Sequence, residues 1–160
     1  MRKFLQPIIA GALAVGIAFG ATPVLAMGGG AGSNGPVQQK SAYALAVERV
    51  KARDFRRAVP LLQKVVAAEP SNADAFNYLG YSHRELGDLK RALTAYQRAL
   101  ALDPNHKGAN EYLGELYVKL GDLPKAQAQL AKLDRLCQFG CAEYEELKRK
   151  VAALRKRRGS

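Results

Sequence analysis

Residues 73–104 read ADAFNYLGYSHRELGDLKRALTAYQRALALDP, and the spacing inside this stretch returns 34 residues earlier and 34 later. Divide the chain into segments 39–72, 73–106 and 107–140. The seventh places then hold Leu45, Leu79 and Leu113, the eighth Ala46, Gly80 and Gly114, and the twentieth Ala58, Ala92 and Ala126. The fifteenth and sixteenth read Arg53-Asp54, Gly87-Asp88 and Gly121-Asp122, and the thirty-second holds Pro70, Pro104 and then Gln138. Within each segment the apolar residues recur at helical spacing. Small residues at places eight and twenty let two antiparallel helices approach closely, and the large residues between them fill the seam.

The pattern predicts helices over 41–52 and 55–68, 73–86 and 89–102, and 107–120 and 123–136. Asp54, Asp88 and Asp122 stand where an N-cap belongs, able to accept hydrogen bonds from the unpaired N–H groups of a first turn. Gly87 and Gly121 can take the left-handed conformation that ends a helix. Pro70 and Pro104 stop the second helix of a pair. Pro124 falls in a first turn, where a missing N–H does no harm. Pro60 lies deeper and predicts a mild kink. The string AEYEELKRKVAALRKRR follows the third segment. Tyr144, Leu147, Val151 and Leu154 make one apolar stripe on it, and its acids precede its bases, as the helix dipole favours. A covering helix is expected over 142–157.

A period of 34 with these residues resembles the tetratricopeptide repeat (TPR). The resemblance implies an all-α fold: an α-solenoid of three TPR helix-turn-helix repeats (39–72, 73–106, 107–140), together spanning 39–140. An amphipathic capping helix and basic tail over 141–160 close the array, since a terminal repeat leaves one face uncovered. In that family the first helices of the repeats line a concave groove, and places two, five, nine, twelve and thirteen face it. Those places hold Lys40, Tyr43, Val47, Val50 and Lys51, then Asp74, Asn77, Tyr81, Arg84 and Glu85, then Gly108, Glu111, Glu115, Val118 and Lys119. Tyr43, Val47, Asn77, Tyr81, Arg84, Glu111 and Glu115 are the expected contacts for a protein or peptide partner. Glu111 and Glu115 stand where a clamp for a terminal carboxylate would need positive charge, which argues against that mode.

The start of the chain points to export. Arg2 and Lys3 precede an almost wholly apolar run from Phe4 to Phe19, and Val24-Leu25-Ala26 supplies small residues at a cleavage site. This is the layout of a secretory signal peptide over 1–26. Removal after Ala26 would leave a periplasmic or secreted protein of the bacterial cell envelope, without stable membrane insertion. Residues 27–38, MGGGAGSNGPVQ, read as a Gly-rich tether. The formal net charge is +11. Segments 39–72 and 141–160 each carry seven Lys/Arg against three Asp/Glu. The excess therefore gathers toward the ends of the array, and the tail Arg155–Arg158 could touch an anionic membrane surface.

Cys137 and Cys141, in CQFGC, occupy the place where the third repeat abandons its proline turn. In an oxidising compartment they are expected to form a disulfide, with Gly140 freeing the backbone to bring them together. The other reading is a metal- or redox-active carrier built on this pair. The spacing is C-x3-C rather than C-x2-C, and no third soft ligand lies nearby in sequence. His83 is expected to pack partly buried between helices, and His106 to be solvated in a turn. No Ser/His/Asp set, carboxylate pair or phosphate loop is present. The sequence thus predicts no enzyme, no cofactor and no metal. Nucleic acid is not an expected partner, because no aromatics interleave with the basic tail. The expected function is a non-catalytic adaptor or scaffold for protein–protein interaction.

Overall fold

The structure, a computed structural model, describes residues 41–159. The expected signal peptide and tether, with Lys40, lie outside the described residues. Those residues form seven helices and no strand: α1 (Ala42–Lys51), α2 (Phe55–Ala68), α3 (Ala73–Glu85), α4 (Leu89–Leu102), α5 (Lys107–Leu120), α6 (Leu123–Leu136) and α7 (Ala142–Gly159). Four helices have the bounds the sequence predicts. At α1 the outermost predicted residues, Ser41 and Ala52, are caps instead, and Leu86 caps α3. α2 continues across Pro60.

The turns follow the predicted chemistry. Asp54, Asp88 and Asp122 accept from the backbone N–H of Arg57, Arg91 and Lys125 at 3.3, 3.1 and 3.1 Å. The same three basic side chains close onto the capping carboxylates as i,i+3 ion pairs. Gly87 and Gly121 have φ of 84° and 73°. Arg53 fills the same place in the first repeat at φ 57°, a conformation that costs a residue with a Cβ roughly 1–2 kcal/mol.

His106 departs from expectation. It is not solvated: it caps α5, its Nδ1 accepting from the Ala109 N–H at 3.1 Å while its Nε2 lies 2.9 Å from Asp74 Oδ1. With Nδ1 acting as acceptor, the neutral ring carries its proton on Nε2 and donates it to Asp74. The turn hides the ring because one side chain meets both the free Ala109 N–H of α5 and a carboxylate on α3. His83 is buried, as expected. Desolvation lowers its pKa, against the pull of Asp88, so it is neutral at pH 7.

The eighth places confirm the close approach. A Cβ on Gly80 would stand 2.6 Å from the Tyr96 ring, and one on Gly114 would stand 2.4 Å from Leu147 Cδ2. Gly114 therefore admits α7 itself, and Leu147, Val151 and Leu154 are buried there. The core runs the length of the array in three clusters, around Ala46, Phe55 and Leu62, around Tyr96 and Leu116, and around Leu133, Leu147 and Val151. Ala58, Ala92 and Ala126 are fully buried. Cys137 and Cys141 are bonded, with Cα atoms 5.5 Å apart, and Gly140 between them has φ 84°. Closing so short a loop contributes about 2 kcal/mol in the chain-entropy account.

Contacts divide the helices into two layers. α1, α3, α5 and α7 each touch the next of that set, whereas α2, α4 and α6 touch only members of that set and not one another. The layer whose members meet one another is the inner one; the splayed layer is the outer one.

Candidate partner-binding groove

The inner layer presents α3, α5 and α7 side by side, and their facing residues build an aromatic and ionic cluster. Tyr81 stacks on Tyr112, ring centroids 5.0 Å apart and planes 20° from parallel, and meets Phe55 edge-on at 5.4 Å. The Arg84 guanidinium lies 5.3 Å from the centroids of both tyrosines. It donates through Nη1 to Glu115 Oε2 and through Nη2 to Glu85 Oε1 at 3.3 Å. The other oxygen of Glu115 accepts from Lys150 Nζ, which also reaches Glu146 at 3.1 Å. Burial works against the Arg84 charge, but Tyr96 and Glu115 outweigh it and its pKa rises. Burial raises the Tyr112 hydroxyl to about 12, with Glu111 adding to the effect.

Of the residues predicted to meet a partner, this cluster gathers Tyr81, Arg84 and Glu115. Arg84 and Glu115 are 8% and 6% exposed, so the pair organises the surface more than it decorates it. Asn77 is buried too: its Oδ1 has no protein partner, and Gly108 leaves room for its amide, since a Cβ there would stand 3.2 Å from Nδ2. Glu111 is half-buried on α5, one turn before Glu115. Desolvation, then Glu115 and Glu143, raises its carboxyl to about 7. Tyr43 and Val47 sit half-buried on α1. Tyr43 lies 6.4 Å from the Tyr78 ring, and burial followed by Asp74 raises its hydroxyl to about 12.

A depression of about 390 Å³ opens beside the cluster, lined by Arg84, Glu85, Glu115, Val118, Lys119, Lys150 and Arg157. Five of these were mapped to the groove from sequence. Lys150 and Arg157 come from α7, so the capping helix also furnishes groove wall. Tyr112 and Lys150 were not singled out from sequence. Tyrosine recurs at the sixth place as Tyr78 and Tyr112, a signal that marks the stack. Nothing local marks Lys150, which gains its role from the packing of α7 on α5. Chemically the face offers rings, both signs of charge and an apolar step at Val118. Among the described residues no group of three His, Cys, Asp or Glu could hold a metal, and no helix is long and apolar enough to cross a membrane.

Two tetratricopeptide repeat family models match the chain, one over residues 43–107 and one over 83–151. No curated protein matches it. Among solved structures, it resembles PcrH in complex with the chaperone binding region of PopD: 22% identity, TM-score 0.66, covering 73% of this chain and 90% of that one. The Yersinia enterocolitica type III secretion chaperone SycD, in complex with a peptide of the translocator YopD, is similar at 19% identity and TM-score 0.61, with 71% and 86% covered. The second TPR domain of human RPAP3, in complex with the HSP70 peptide SGPTIEEVD, is similar at 16% identity and TM-score 0.64, with 72% and 92% covered. At these identities the likeness concerns the fold.

Proposed function

Because the chain belongs to the tetratricopeptide repeat family, we propose that it is a non-catalytic adaptor or scaffold whose inner face holds a peptide or protein segment. The observation that carries this reading is the depression beside the Tyr81–Tyr112 stack, with cations and carboxylates arranged around an apolar step. Such a surface suits a segment that brings alternating polar and apolar side chains. Structurally similar TPR proteins hold peptides, which supports the same use here. In this reading Tyr43, Val47, Tyr81 and Glu111 touch the partner, while Asn77, Arg84 and Glu115 set the shape of the wall. The bonded cysteines act as a staple between α6 and α7 rather than as a carrier site. We place the adaptor in the cell envelope on the strength of residues 1–26, and N-terminal sequencing of exported protein should begin at Met27.

The groove itself is tested with peptides. A displayed random library is selected on the full chain, and a recovered peptide is titrated against parent and the charge swap Glu111→Lys with Lys119→Glu. Both positions have some exposure, so helix content should be unchanged. At least a tenfold loss of affinity is expected, the size of effect that one good contact commonly carries. Equal affinity for parent and variant, or no recovered peptide, would place the partner elsewhere.

A further inference from the structure

Along the sequence the basic excess gathers at the ends of the array, but within the three repeats it sorts by layer. Each outer helix carries three Lys/Arg, and the only acid in all three is Asp134. The positions keep the repeat. The eighteenth places hold Arg56, Lys90 and then Pro124, the nineteenth Arg57, Arg91 and Lys125, and the twenty-sixth Lys64, Arg98 and Lys132. Arg57, Arg91 and Lys125 are engaged by the capping aspartates. The twenty-sixth row is not held that way. Arg98 reaches only the Pro70 carbonyl at 3.4 Å and the Phe76 ring, and Lys132 reaches the Asn105 amide oxygen. Among the described residues no carboxylate pairs with Arg56, Lys64, Lys90, Arg98, Lys132 or Arg135. The inner helices of the repeats, α1, α3 and α5, mix both signs, while the inner capping helix α7 carries seven Lys/Arg after three acids.

Two apolar features share this face. A depression of about 440 Å³ lies along α3 and α4, floored by Phe76, Leu79 and Ala95 and edged by Arg91 and Arg98. A second, of about 340 Å³, shares His83 and Arg91 with it, reaches α2 at Arg56 and Val59, and has Asp88 on its rim; together they make a trough. At the same edge of the array as the ends of the outer helices, Phe139 is fully exposed in the loop that follows α6. Cations in rows call for an anionic partner; an apolar trough rimmed by arginine and a solvent-facing phenylalanine call for hydrocarbon beside that charge. A soluble polyanion meets the first demand alone. A bilayer surface of anionic lipid meets both.

We infer that the outer layer docks on an anionic lipid bilayer, with the row Lys64, Arg98, Lys132 and Arg135 on the headgroups and Phe139 entering the interface. The inner face then points away from the lipid and stays open, so this docking does not depend on the groove reading. It also differs from contact through Arg155–Arg158. Those residues end the helix that runs back from the loop, and Arg157 faces the groove depression.

The test is flotation of the full chain with vesicles of phosphatidylglycerol and phosphatidylcholine, and with vesicles of phosphatidylcholine alone. All variants share residues 1–40, so any contribution of that segment cancels between them. The parent should float with the anionic vesicles and be released by salt. Replacing Lys64, Arg98, Lys132 and Arg135 by Gln should weaken binding about a hundredfold or more, at several-fold per cation. Phe139→Ser should weaken it less, about tenfold, and leave the salt dependence unchanged. Unchanged helix content in both variants keeps folding out of the result. The inference is overturned if the four-residue variant floats with the anionic vesicles like the parent, or if the parent binds sodium polyphosphate tightly and no vesicles.

Discussion

The inner and outer layers of this array use the same residue types to opposite ends. Inside, the buried pair at the centre of the face is answered: Glu115 accepts from Arg84 on one side and Lys150 on the other, and two tyrosines shield the guanidinium. Outside, the twenty-sixth row is answered by no carboxylate among the described residues. The inner helices meet one another, and glycine at the eighth place in α3 and α5 makes room for large side chains. The outer helices stand apart and leave a trough. Charge that is buried must be paired to be tolerated, whereas charge left in water persists unpaired at little expense. The inner cluster thus holds the structure together, and the outer rows remain available to something outside the chain.

The sharpest break in that contrast is the loss of Glu115. Glu115→Ala would leave Arg84, 8% exposed, with only Glu85, and a buried charge stripped of its partner commonly costs about 3–5 kcal/mol. The lower end is expected here because Glu85 remains at 3.3 Å. Arg84→Met with Glu115→Leu should recover most of that loss, since exchanging a whole buried pair for apolar groups is often neutral. Urea unfolding of the parent and the two variants measures both effects. Two equally unstable variants would show that the cluster works through shape rather than charge. Gly80→Ala comes next. Its new methyl would press on the buried Tyr96 ring, and overpacking of about 1–3 kcal/mol is offset in part by up to about 1 kcal/mol of helix propensity. In a Tyr96→Leu background, which reproduces the Ala46 and Leu62 pair of the first repeat, the penalty of Gly80→Ala should vanish. A penalty that persists in a double-mutant cycle would locate the strain elsewhere.

The fold was legible because its determinants are local and repeated. The Asp caps, the two turn glycines and the apolar stripe of α7 each act within a few residues, and a period of 34 writes the caps three times over. Groove places could be mapped for the same reason, and five of them line one depression. What sequence could not supply is contact between repeats. His106 reads as a turn residue until Asp74, on another helix, is brought to its ring. Lys150 reads as one base among seven until α7 lies on α5. Arg84 and Glu115 read as contacts for a partner, and the packing of successive inner helices makes them contacts for each other. The layering of charge was missed because counting by segment averages an inner helix with an outer one.

The smallest of the expected effects tests whether the inner face holds a charge it has not answered. Glu111 stands beside Glu115 and Glu143, and burial followed by those two acids raises its carboxyl from 4.5 to about 7. The sign follows from where the proton sits. Below about pH 4.5 the folded and unfolded chains both keep it, and above about 7 both have lost it. Between those values only the folded chain holds it. Folding then takes up a proton, and the group's contribution to stability is lost progressively as pH rises through that window. The side chain is only half-buried, so the change across the window is discounted for solvent screening to roughly 1 kcal/mol. Glu111→Gln keeps the shape and removes the proton, so the variant should gain on the parent by that amount between pH 5 and pH 8. Every other titratable group is common to both proteins and cancels in the difference. Melting curves of parent and variant that run parallel from pH 5 to 8 would mean that Glu111 is already neutralised, and the inner face would then be as fully paired at Glu111 as it is at Glu115.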